Sequence, residues 1–382
     1  MSIRNLTAKV YRMILTIMLL GPASVFATYT ELNMPVSVTD LGAEIYSLHM
    51  IIFWIVTVAG IGVFAVMIYS IIYHRKSKGA VAVQFHESTT VEVIWTVIPL
   101  VILVAIAIPA TSTLLKYEDA GNADITITAT GYQWKWQYNY QQEEINFFSS
   151  LAEDSNLARK LGAKADLTKV DNYLLNVDNP LVVPVNKKIR VLTTSKDVIH
   201  AWWVPDLAVK RDAIPGFINE SWFKANKTGT YRGQCAELCG VDHGFMPIVV
   251  KVVEDAEYTA WVGKQKAASA AAAADSNKTY TLAELMKKGE KAYNTSCSSC
   301  HQINGAGLPP TFPALAGSKI ATGPVKAHLD MVMNGSKKNP MMAAYAAQLN
   351  DLDIAAIITY ERNAWGNKTG DLVQPSDIKA AR

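Results

Sequence analysis

Cysteine is scarce in this sequence, with four residues in a chain of 382. All four fall into two short clusters, Cys235 with Cys239 and Cys297 with Cys300. No cysteine is left for a structural staple elsewhere, which excludes a small fold held together by disulfides. Both spacings are typical of metal or haem binding, although a cysteine pair taken singly in an exported protein is more often a disulfide.

Charged residues are also few, at 18% against 50% hydrophobic residues, and the formal net charge is only +3. This apolar balance is high for a purely soluble chain and indicates membrane spans. The small net charge decides nothing about nucleic acid, but the sequence has no basic-aromatic cluster or nucleic-acid motif, so no nucleic-acid partner is expected. The length favours about two to three domains.

Two long stretches, residues 48–73 and 93–115, contain no Asp, Glu, Lys or Arg. Each exceeds the ~20 residues that a helix needs to cross ~30 Å of hydrocarbon. We therefore predict transmembrane helices at about 46–73 and 92–115, with buried helices of a soluble protein as the alternative. The basic loop "HRKSKGA" between them belongs in the cytoplasm by the positive-inside rule, which places both ends of the pair outside.

The N-terminus has the pattern of an export signal. Arg4, Lys9 and Arg12 flank a short apolar run over 13–20, and small residues follow up to Ala27. This pattern predicts a signal peptide over residues 1–27, with a short membrane anchor as the alternative. Residues 28–118 then form an N-terminal segment together with the two spans.

Residues 235–246 read "CAELCGVDHGFM" and are called the copper loop here. Thiolate, imidazole and thioether donors together suit copper, whereas structural zinc seldom uses methionine. A mononuclear blue-copper site needs one thiolate, so Cys235 and Cys239 together predict a pair of metals bridged by both sulfurs, with His243 and Met246 as further ligands. The missing imidazole is sought upstream, and His200 in "TTSKDVIHAWWVP" is the candidate.

Short strands surround the copper loop. "DITITATGYQWKWQYNY" alternates with a period of two, which predicts a strand whose one face is wholly aromatic: Tyr132, Trp134, Trp136, Tyr138 and Tyr140. Core packing explains most of this face, and an aromatic that bridges electron flow to a partner is the minority interpretation. With "PLVVPVNKKIRVLTTS" and "FMPIVVKVVE", the pattern predicts a small antiparallel barrel or sandwich over 119–255, interrupted by an insertion at 141–180.

An alanine-rich linker at 256–280 precedes a second module, residues 281–382, which contains "CSSCH". C-x-x-C-H is the attachment signature of covalent c-type haem, with Cys297 and Cys300 bound to the vinyl groups and His301 bound to the iron. A redox dithiol is the alternative. For the other axial ligand we favour Met342, which lies in a predicted loop before the final helix; Met341 stays open, whereas Met331 and Met333 lie in a helix-like run.

The chain resembles subunit II of haem-copper cytochrome c oxidases, in the bacterial form with a fused C-terminal cytochrome c domain. The resemblance rests on the paired spans and on "GYQWKW", "VIHAWWVP", "KRDAIPG", "GQCAELCGVDHGFMP" and "CSSCH". It implies a multi-domain fold: a two-helix transmembrane hairpin, a cupredoxin-like β-barrel or sandwich, and an all-α c-type cytochrome domain.

The resemblance also implies roles for individual residues. The family's binuclear copper centre matches six residues of this chain: His200, Cys235, Glu237 through its carbonyl, Cys239, His243 and Met246. The Glu237 carboxylate would help bind magnesium at the junction with subunit I, and Trp134 would relay electrons from cytochrome c. Glu92, at the edge of the second span, matches a carboxylate at the start of a proton pathway, although a plain interfacial charge is the simpler interpretation. Lys135 replaces an aromatic found in many relatives.

The implied function is that of the oxidase subunit that takes up electrons and passes them from haem c through two coppers to the oxygen-reducing subunit I. The implied partners are subunits I and III, a soluble or membrane-bound cytochrome c, and the bacterial inner membrane, which the chain crosses more than once with its copper and haem domains on the periplasmic face. With 7 histidines and two predicted spans, the chain lacks the ligands to reduce oxygen itself. The rivals are a membrane-tethered copper-delivery protein with a thioredoxin-like fold, a quinol oxidase subunit, and a stand-alone electron carrier.

Overall fold

The computed structural model describes residues 33–82, 84, 86–160, 163–339 and 341–382. The predicted signal peptide at 1–27 lies outside the described residues. The described residues fall into two compact units, one drawn from 1–37 and 42–84 and the other from 38–41 and 85–382. The first unit contains most of a helix at Asp40–Tyr73, and the second contains a helix at Thr89–Glu118 together with every later element.

Two helices have the length and composition of membrane spans. Helix α1 covers Asp40–Tyr73 and helix α2 covers Thr89–Glu118. Their apolar side chains are largely exposed, as lipid-facing surfaces are. The two predicted apolar helices are therefore confirmed, and each extends a few residues beyond its predicted bounds.

The β domain consists of two five-stranded sheets. The strands, in chain order, are β1 Ile125–Tyr132, β2 Lys135–Tyr140, β3 Ile145–Ser149, β4 Leu181–Pro184, β5 Ile189–Ser195, β6 His200–Val204, β7 Val209–Ala213, β8 Asn219–Phe223, β9 Gly229–Cys235 and β10 Pro247–Val253. One sheet has the strand order β3-β2-β1-β5-β8 and the other β4-β10-β9-β6-β7. The pairs β1–β5 and β4–β10 are parallel and the other pairs are antiparallel, so the predicted sandwich is confirmed although it is not purely antiparallel.

The core between the sheets is aromatic and is crossed by hydrogen bonds. The Tyr140 hydroxyl on β2 donates to the Val182 carbonyl on β4 at 2.7 Å. Trp202 Nε1 on β6 donates to the Tyr138 hydroxyl on β2 at 3.3 Å. The two hydrogen bonds give the buried Tyr140 hydroxyl and Trp202 Nε1 a partner in the opposite sheet, and they join the two sheets.

The predicted single aromatic strand is wrong. β1 ends at Tyr132 and β2 begins at Lys135, and the two strands pair antiparallel, with Tyr132 opposite Lys135. The chain therefore reverses at Gln133 and Trp134, and only Trp136, Tyr138 and Tyr140 share the buried face of one strand. An uninterrupted period of two cannot reveal a tight turn when both strands of a hairpin keep the same alternation.

Two further helices belong neither to the sheets nor to the second module. Helix α3, Glu153–Ala158, lies in the insertion, and helix α4, Asp255–Asp275, covers most of the predicted alanine-rich linker. Tyr258 and Trp261 at the start of α4 pack against the sandwich core. No residue of α4 is buried, so this helix alone does little to fix the position of the second module.

The haem module, residues 281–382, is helical, as predicted. Its helices are α5 Leu282–Ser296, α6 Ser298–His301, α7 Lys319–Thr322, α8 Val325–Asn334, α9 Asp351–Asn363 and α10 Pro375–Ala381. Helix α9 packs on α5, and the crossing is close because a Cβ on Gly289 would lie 2.1 Å from the Ala356 carbonyl oxygen. Glycine at this position lets the two backbones approach.

Candidate metal centre and haem site

Neighbouring strands place the copper donors at one end of the sandwich. His200 begins β6 and Cys235 ends β9, and the register pairs Trp202 with Cys235. The copper loop then returns into β10 at Pro247. Cys239 and Met246, which are both buried, are thereby held against the same end of the sheet as His200.

All six candidate donors form one continuous cluster. Cys235 Sγ lies 3.9 Å from Cys239 Sγ, 3.8 Å from His200 Nδ1 and 3.3 Å from the Glu237 carbonyl oxygen. Cys239 Sγ lies 3.5 Å from His243 Nδ1 and 3.5 Å from Met246 Sδ. The thiols occupy the middle of the cluster, with one imidazole beside each sulfur.

This donor set fits a copper centre. Both cysteines are free and buried, and the sulfurs of a disulfide would lie about 2.05 Å apart. Two sulfurs, each with an imidazole nitrogen beside it, and one thioether provide donors that suit copper, and the Glu237 carbonyl adds an oxygen beside Cys235. The residues present therefore fit two metal ions that share both thiolates.

Asp197 orients the buried imidazole. His200 Nε2 donates to Asp197 Oδ1 at 2.8 Å, which leaves Nδ1 facing the Cys235 sulfur. Asp197 is held in turn by the backbone N–H of Gln133, which donates to Asp197 Oδ2 at 2.7 Å. Burial lowers the pKa of His200, but hydrogen bonds to Asp197 and Cys235 outweigh burial and the pKa is raised.

Glycine at position 131 gives the His200 ring its space. A Cβ at this position would lie 2.6 Å from His200 Cδ2, so any other residue would push the imidazole away from the cluster. Gly131 belongs to β1 in the other sheet, which means that both sheets shape the site.

The two thiols do not share protons equally. The Cys239 thiol donates to the Cys235 sulfur, which lowers the pKa of Cys235, and the hydrogen bond from His200 lowers it further. The same contact raises the pKa of Cys239. One thiolate therefore forms readily, and a metal ion would displace the remaining proton.

Trp134 contacts the copper loop directly. Its Nε1 donates to the Cys239 carbonyl at 3.0 Å, and Gln133 Nε2 donates to the same oxygen at 2.8 Å. The turn between β1 and β2 is thus joined to a residue whose sulfur lies at the centre of the donor cluster. Trp134 lies outside the aromatic strand face that the sequence pattern suggested, but next to the metal site.

The two predicted carboxylates lie in different settings. Glu237 is exposed on the copper loop, where its carbonyl approaches Cys235. Glu92 is exposed in the first turn of α2. An acidic residue in the first turn of a helix also interacts favourably with the helix dipole. The position of Glu92 therefore agrees both with a role in proton entry and with a plain interfacial charge.

The haem candidates surround one apolar cavity of about 210 Å³ in the haem module. Cys297, Cys300 and His301 lie along its wall, and His301 Nδ1 donates to the Pro313 carbonyl at 2.8 Å. This contact leaves Nε2 as the nitrogen that can bind iron. An apolar cavity beside two free thiols and an oriented imidazole fits a haem.

Methionines on the cavity wall narrow the choice of the second axial ligand. Met341 and Met342 both line the cavity, as does Met331 on α8. Met333 is buried in the core formed by α8 and α9, outside this lining. The Met342 backbone is fixed by hydrogen bonds with Ser336 and Asn339, whereas Met341 is 45% exposed.

The copper loop and the haem module meet around a second, polar cavity of about 80 Å³. Trp134, Lys135 and Asp242 line it from the β domain, and Ser299 and Cys300 line it from the haem module. Lys135 is 8% exposed, with Nζ 4.6 Å from the Phe148 ring centroid and 5.4 Å from that of Tyr345. Burial lowers the pKa of this lysine to about 8.

Sequence reasoning missed the residues that support the donors. Asp197 lies three residues before His200 in an otherwise β-branched stretch, and Gly131 opens "GYQWKW". An acidic residue near a candidate histidine was a signal from which Asp197 could have been found. Arg159 and Asp242, which join the copper loop to the insertion, gave no such signal because they lie 83 residues apart.

Known protein families match this chain in three segments. Residues 27–112 match the profile of the cytochrome c oxidase subunit II transmembrane domain, and residues 125–253 match that of its periplasmic domain. Residues 284–360 match the profile described as cytochrome c oxidase, cbb3-type, subunit III.

Individual proteins give similar results. The probable cytochrome c oxidase subunit 2 of Rickettsia bellii is 39% identical over 59% of this chain and 81% of its own length. Cytochrome c oxidase subunit 2 of Cereibacter sphaeroides is 36% identical over 59% of this chain and 77% of its own. The crystal structure of the periplasmic domain of cytochrome oxidase subunit II from Bradyrhizobium japonicum is 50% identical over 38% of this chain and 96% of its own, with a TM-score of 0.34.

Proposed function

From the premise that this chain belongs to the cytochrome c oxidase subunit II family, we propose that its own haem module delivers electrons to its copper loop. The chain is a subunit of a haem-copper oxidase and the one through which electrons enter the complex. It is anchored in a membrane, with its β domain in the periplasm. The copper-delivery alternative required a thioredoxin-like fold, which the two five-stranded sheets contradict.

The family implies a copper centre, and its ligands in this chain are six residues: His200, Cys235, Glu237 through its carbonyl, Cys239, His243 and Met246. Copper bound by these residues would supply one-electron transfer. The protein contributes the fixed positions: Asp197 orients His200, and burial keeps water from Cys235 and Cys239. A site held by a sheet and a second layer of hydrogen bonds moves little when its charge changes.

The cytochrome c-type domain implies haem. Cys297 and Cys300 would bind it covalently, and His301 and Met342 would hold its iron. The haem would exchange one electron at a time, and the chain orients its ligands through the bond from His301 to Pro313.

The contact of the haem module with the Trp134 turn carries the proposal. Trp134 and Lys135 share a cavity wall with Ser299 and Cys300, and Trp134 donates to the Cys239 carbonyl. The aromatic that relays electrons in the family thus lies between the haem motif, residues 297–301, and the copper loop. Because the module covers this turn, a separate cytochrome c donor would reach the haem module rather than Trp134.

Exposed apolar side chains on the copper loop support a partner on its other side. Leu238 is 77% exposed and Val241 is 61% exposed. Such residues favour burial against another protein, and we assign that partner as subunit I, which reduces oxygen. The exposed Glu237 carboxylate would bind magnesium at this junction. The proposal has three further parts. Subunit III is a second partner, and Glu92 takes part in proton uptake. The chain crosses the bacterial inner membrane more than once.

Electron paramagnetic resonance and metal analysis of the purified full-length chain test the central assignment. We expect two coppers and one covalent haem per chain, with a hyperfine pattern from one electron shared over two copper nuclei. A mononuclear copper spectrum would overturn the copper assignment. Haem that leaves the chain in acidic organic solvent would overturn the thioether attachment.

A further inference from the structure

A segment of the insertion, residues 153–160, contacts both the copper loop and the haem motif and is called the clamp here. The insertion carries no candidate ligand. Its helix α3 is only six residues long, yet Asn156 in this helix is buried, and Arg159 lies directly after it with little exposure. Short polar segments are rarely buried without a partner, so their contacts identify what the segment holds.

Arg159 joins the copper loop to the haem motif. Its Nη1 and Nη2 donate to the two carboxylate oxygens of Asp242 at 3.0 and 2.8 Å, and its Cζ lies 4.2 Å from the Phe245 ring centroid. Asp242 immediately precedes the ligand candidate His243. The same Nη2 lies 3.3 Å from Ser299 Oγ, between the two haem-binding cysteines.

The neighbouring clamp residues extend this connection. Asn156 Nδ2 donates to the Asn294 carbonyl at 3.0 Å at the end of α5, and Asn156 Oδ1 accepts from Arg159 Nε at 3.0 Å. Lys160 Nζ donates to Ser298 Oγ at 3.1 Å. Three side chains of one short segment therefore reach the haem module around the start of its haem motif.

Buried and exposed contacts in this interface differ in their expected strength. The Arg159 and Asp242 side chains are 11% and 10% exposed, so solvent and salt screen the pair weakly. Lys291 and Glu153 also join α5 to the clamp, at 2.8 Å, but they are 69% and 51% exposed. Exposed ion pairs contribute little, whereas the loss of one partner of a buried pair leaves the other charge without compensation.

We propose that Arg159 is a positioning residue that fixes the haem motif against the copper loop, and that the clamp, rather than helix α4, sets the separation between the two redox sites. Helix α4 joins the modules covalently, but its contacts with the sandwich core, Tyr258 and Trp261, lie at its start, and none of its residues is fully buried. Arginine suits this position because its planar fork binds both Asp242 oxygens and still reaches Ser299, which the single ammonium of lysine cannot do. This inference rests on the proposed delivery of electrons from the haem module to the copper loop.

A distance measurement tests the clamp separately from electron transfer. Nitroxide labels would be attached through Lys251→Cys in the β domain and Lys326→Cys in the haem module, which are both exposed, in the full-length chain with copper and haem bound. Pulsed dipolar spectroscopy then reports the separation of the two modules. The rate of electron delivery from haem to copper is measured on the same preparations.

We expect Arg159→Met to broaden the label distances and to slow electron delivery by about tenfold or more, because the remaining Asp242 charge is left buried and unpaired. Arg159→Lys should give an intermediate result. Lys291→Met is the matched control across the same interface and should match the unaltered chain in both measurements. Unchanged copper and haem content shows that each variant has folded.

Asn156→Ala gives a second variant that leaves the Arg159 charge pair in place, and its label distances should broaden less than those of Arg159→Met. A narrow, unchanged distance distribution in Arg159→Met would overturn the clamp, whatever happens to the rate. Broadened distances with an unchanged rate would support the clamp and contradict the proposed delivery of electrons between the modules.

Discussion

The copper site and the haem site are built in opposite ways. The copper donors come from two strands and a loop, with His200 and Cys235 separated by 35 residues, and their atoms already lie within about 4 Å of their neighbours. The haem motif is five consecutive residues beside a cavity, and Met342, the favoured candidate for its second axial ligand, comes from a loop some forty residues later. Strands therefore fix the first site at both ends of its loop, whereas the second depends on how well a longer loop is held.

Loss of one bridging thiolate should break the copper site and leave the haem site intact. With Cys235→Ser we expect the shared-electron copper signal to disappear, because one soft thiolate can no longer bridge two ions. Haem content per chain should stay unchanged, as judged by absorbance. Cys297→Ser provides the reciprocal control: it should keep the copper signal and leave the haem attached through one thioether. A surviving two-copper signal in Cys235→Ser would show that the bridge is assigned to the wrong residue.

Loss of the carboxylate beside His200 should weaken the copper site without abolishing it. Asp197→Asn keeps a hydrogen-bond acceptor but removes the charge that orients the imidazole, so copper affinity should fall by about 10 to 100-fold. Competition with a copper chelator measures this change. Asp212→Asn, on the neighbouring strand β7, serves as a control and should bind copper like the unaltered chain. Equal affinity in Asp197→Asn would contradict the orienting role.

Loss of the loop methionine should affect only the haem site. A thioether ligand raises the reduction potential of haem iron, and Met342→Leu removes it. We therefore expect the potential to fall by roughly 0.1 to 0.2 V within the ≈ 0.8 V range that axial ligands set. Redox titration of the full-length chain measures it. Met341→Leu is the matched control and should leave the potential unchanged. The opposite result for the two variants would assign the ligand to Met341.

The contrast between the two sites also explains how far the sequence was informative. Contiguous signals such as "CSSCH" and the copper loop predicted candidate ligands that the structure brings together, and uncharged runs identified both apolar helices. The turn at Trp134 was missed because both strands of the hairpin keep one alternation across it. Contacts such as Arg159 to Asp242 depend on how an insertion folds back over the sandwich, and no local pattern encodes a pairing of that range.

The smallest effect we expect concerns Lys135, which lies where the two sites meet. Burial lowers the pKa of Lys135 to about 8, although the nearby carboxylates Asp178 and Asp197 raise it. Between about pH 8 and its ordinary value near 10.5, the unfolded chain binds more protons than the folded chain, so this residue makes stability rise with pH over that window.

Lys135→Met removes this contribution together with a cation–π contact worth roughly 0.5 to 2 kcal/mol. Denaturant unfolding of the full-length chain, followed by haem absorbance, should show the stability of Lys135→Met relative to the unaltered chain declining from pH 8 to pH 10. Lys338→Met, an exposed lysine of the haem module, is the control and should show no such trend. A pH-independent difference for Lys135→Met would mean that the ammonium stays charged in the interface, held by its two aromatic rings and carboxylates more strongly than burial opposes it.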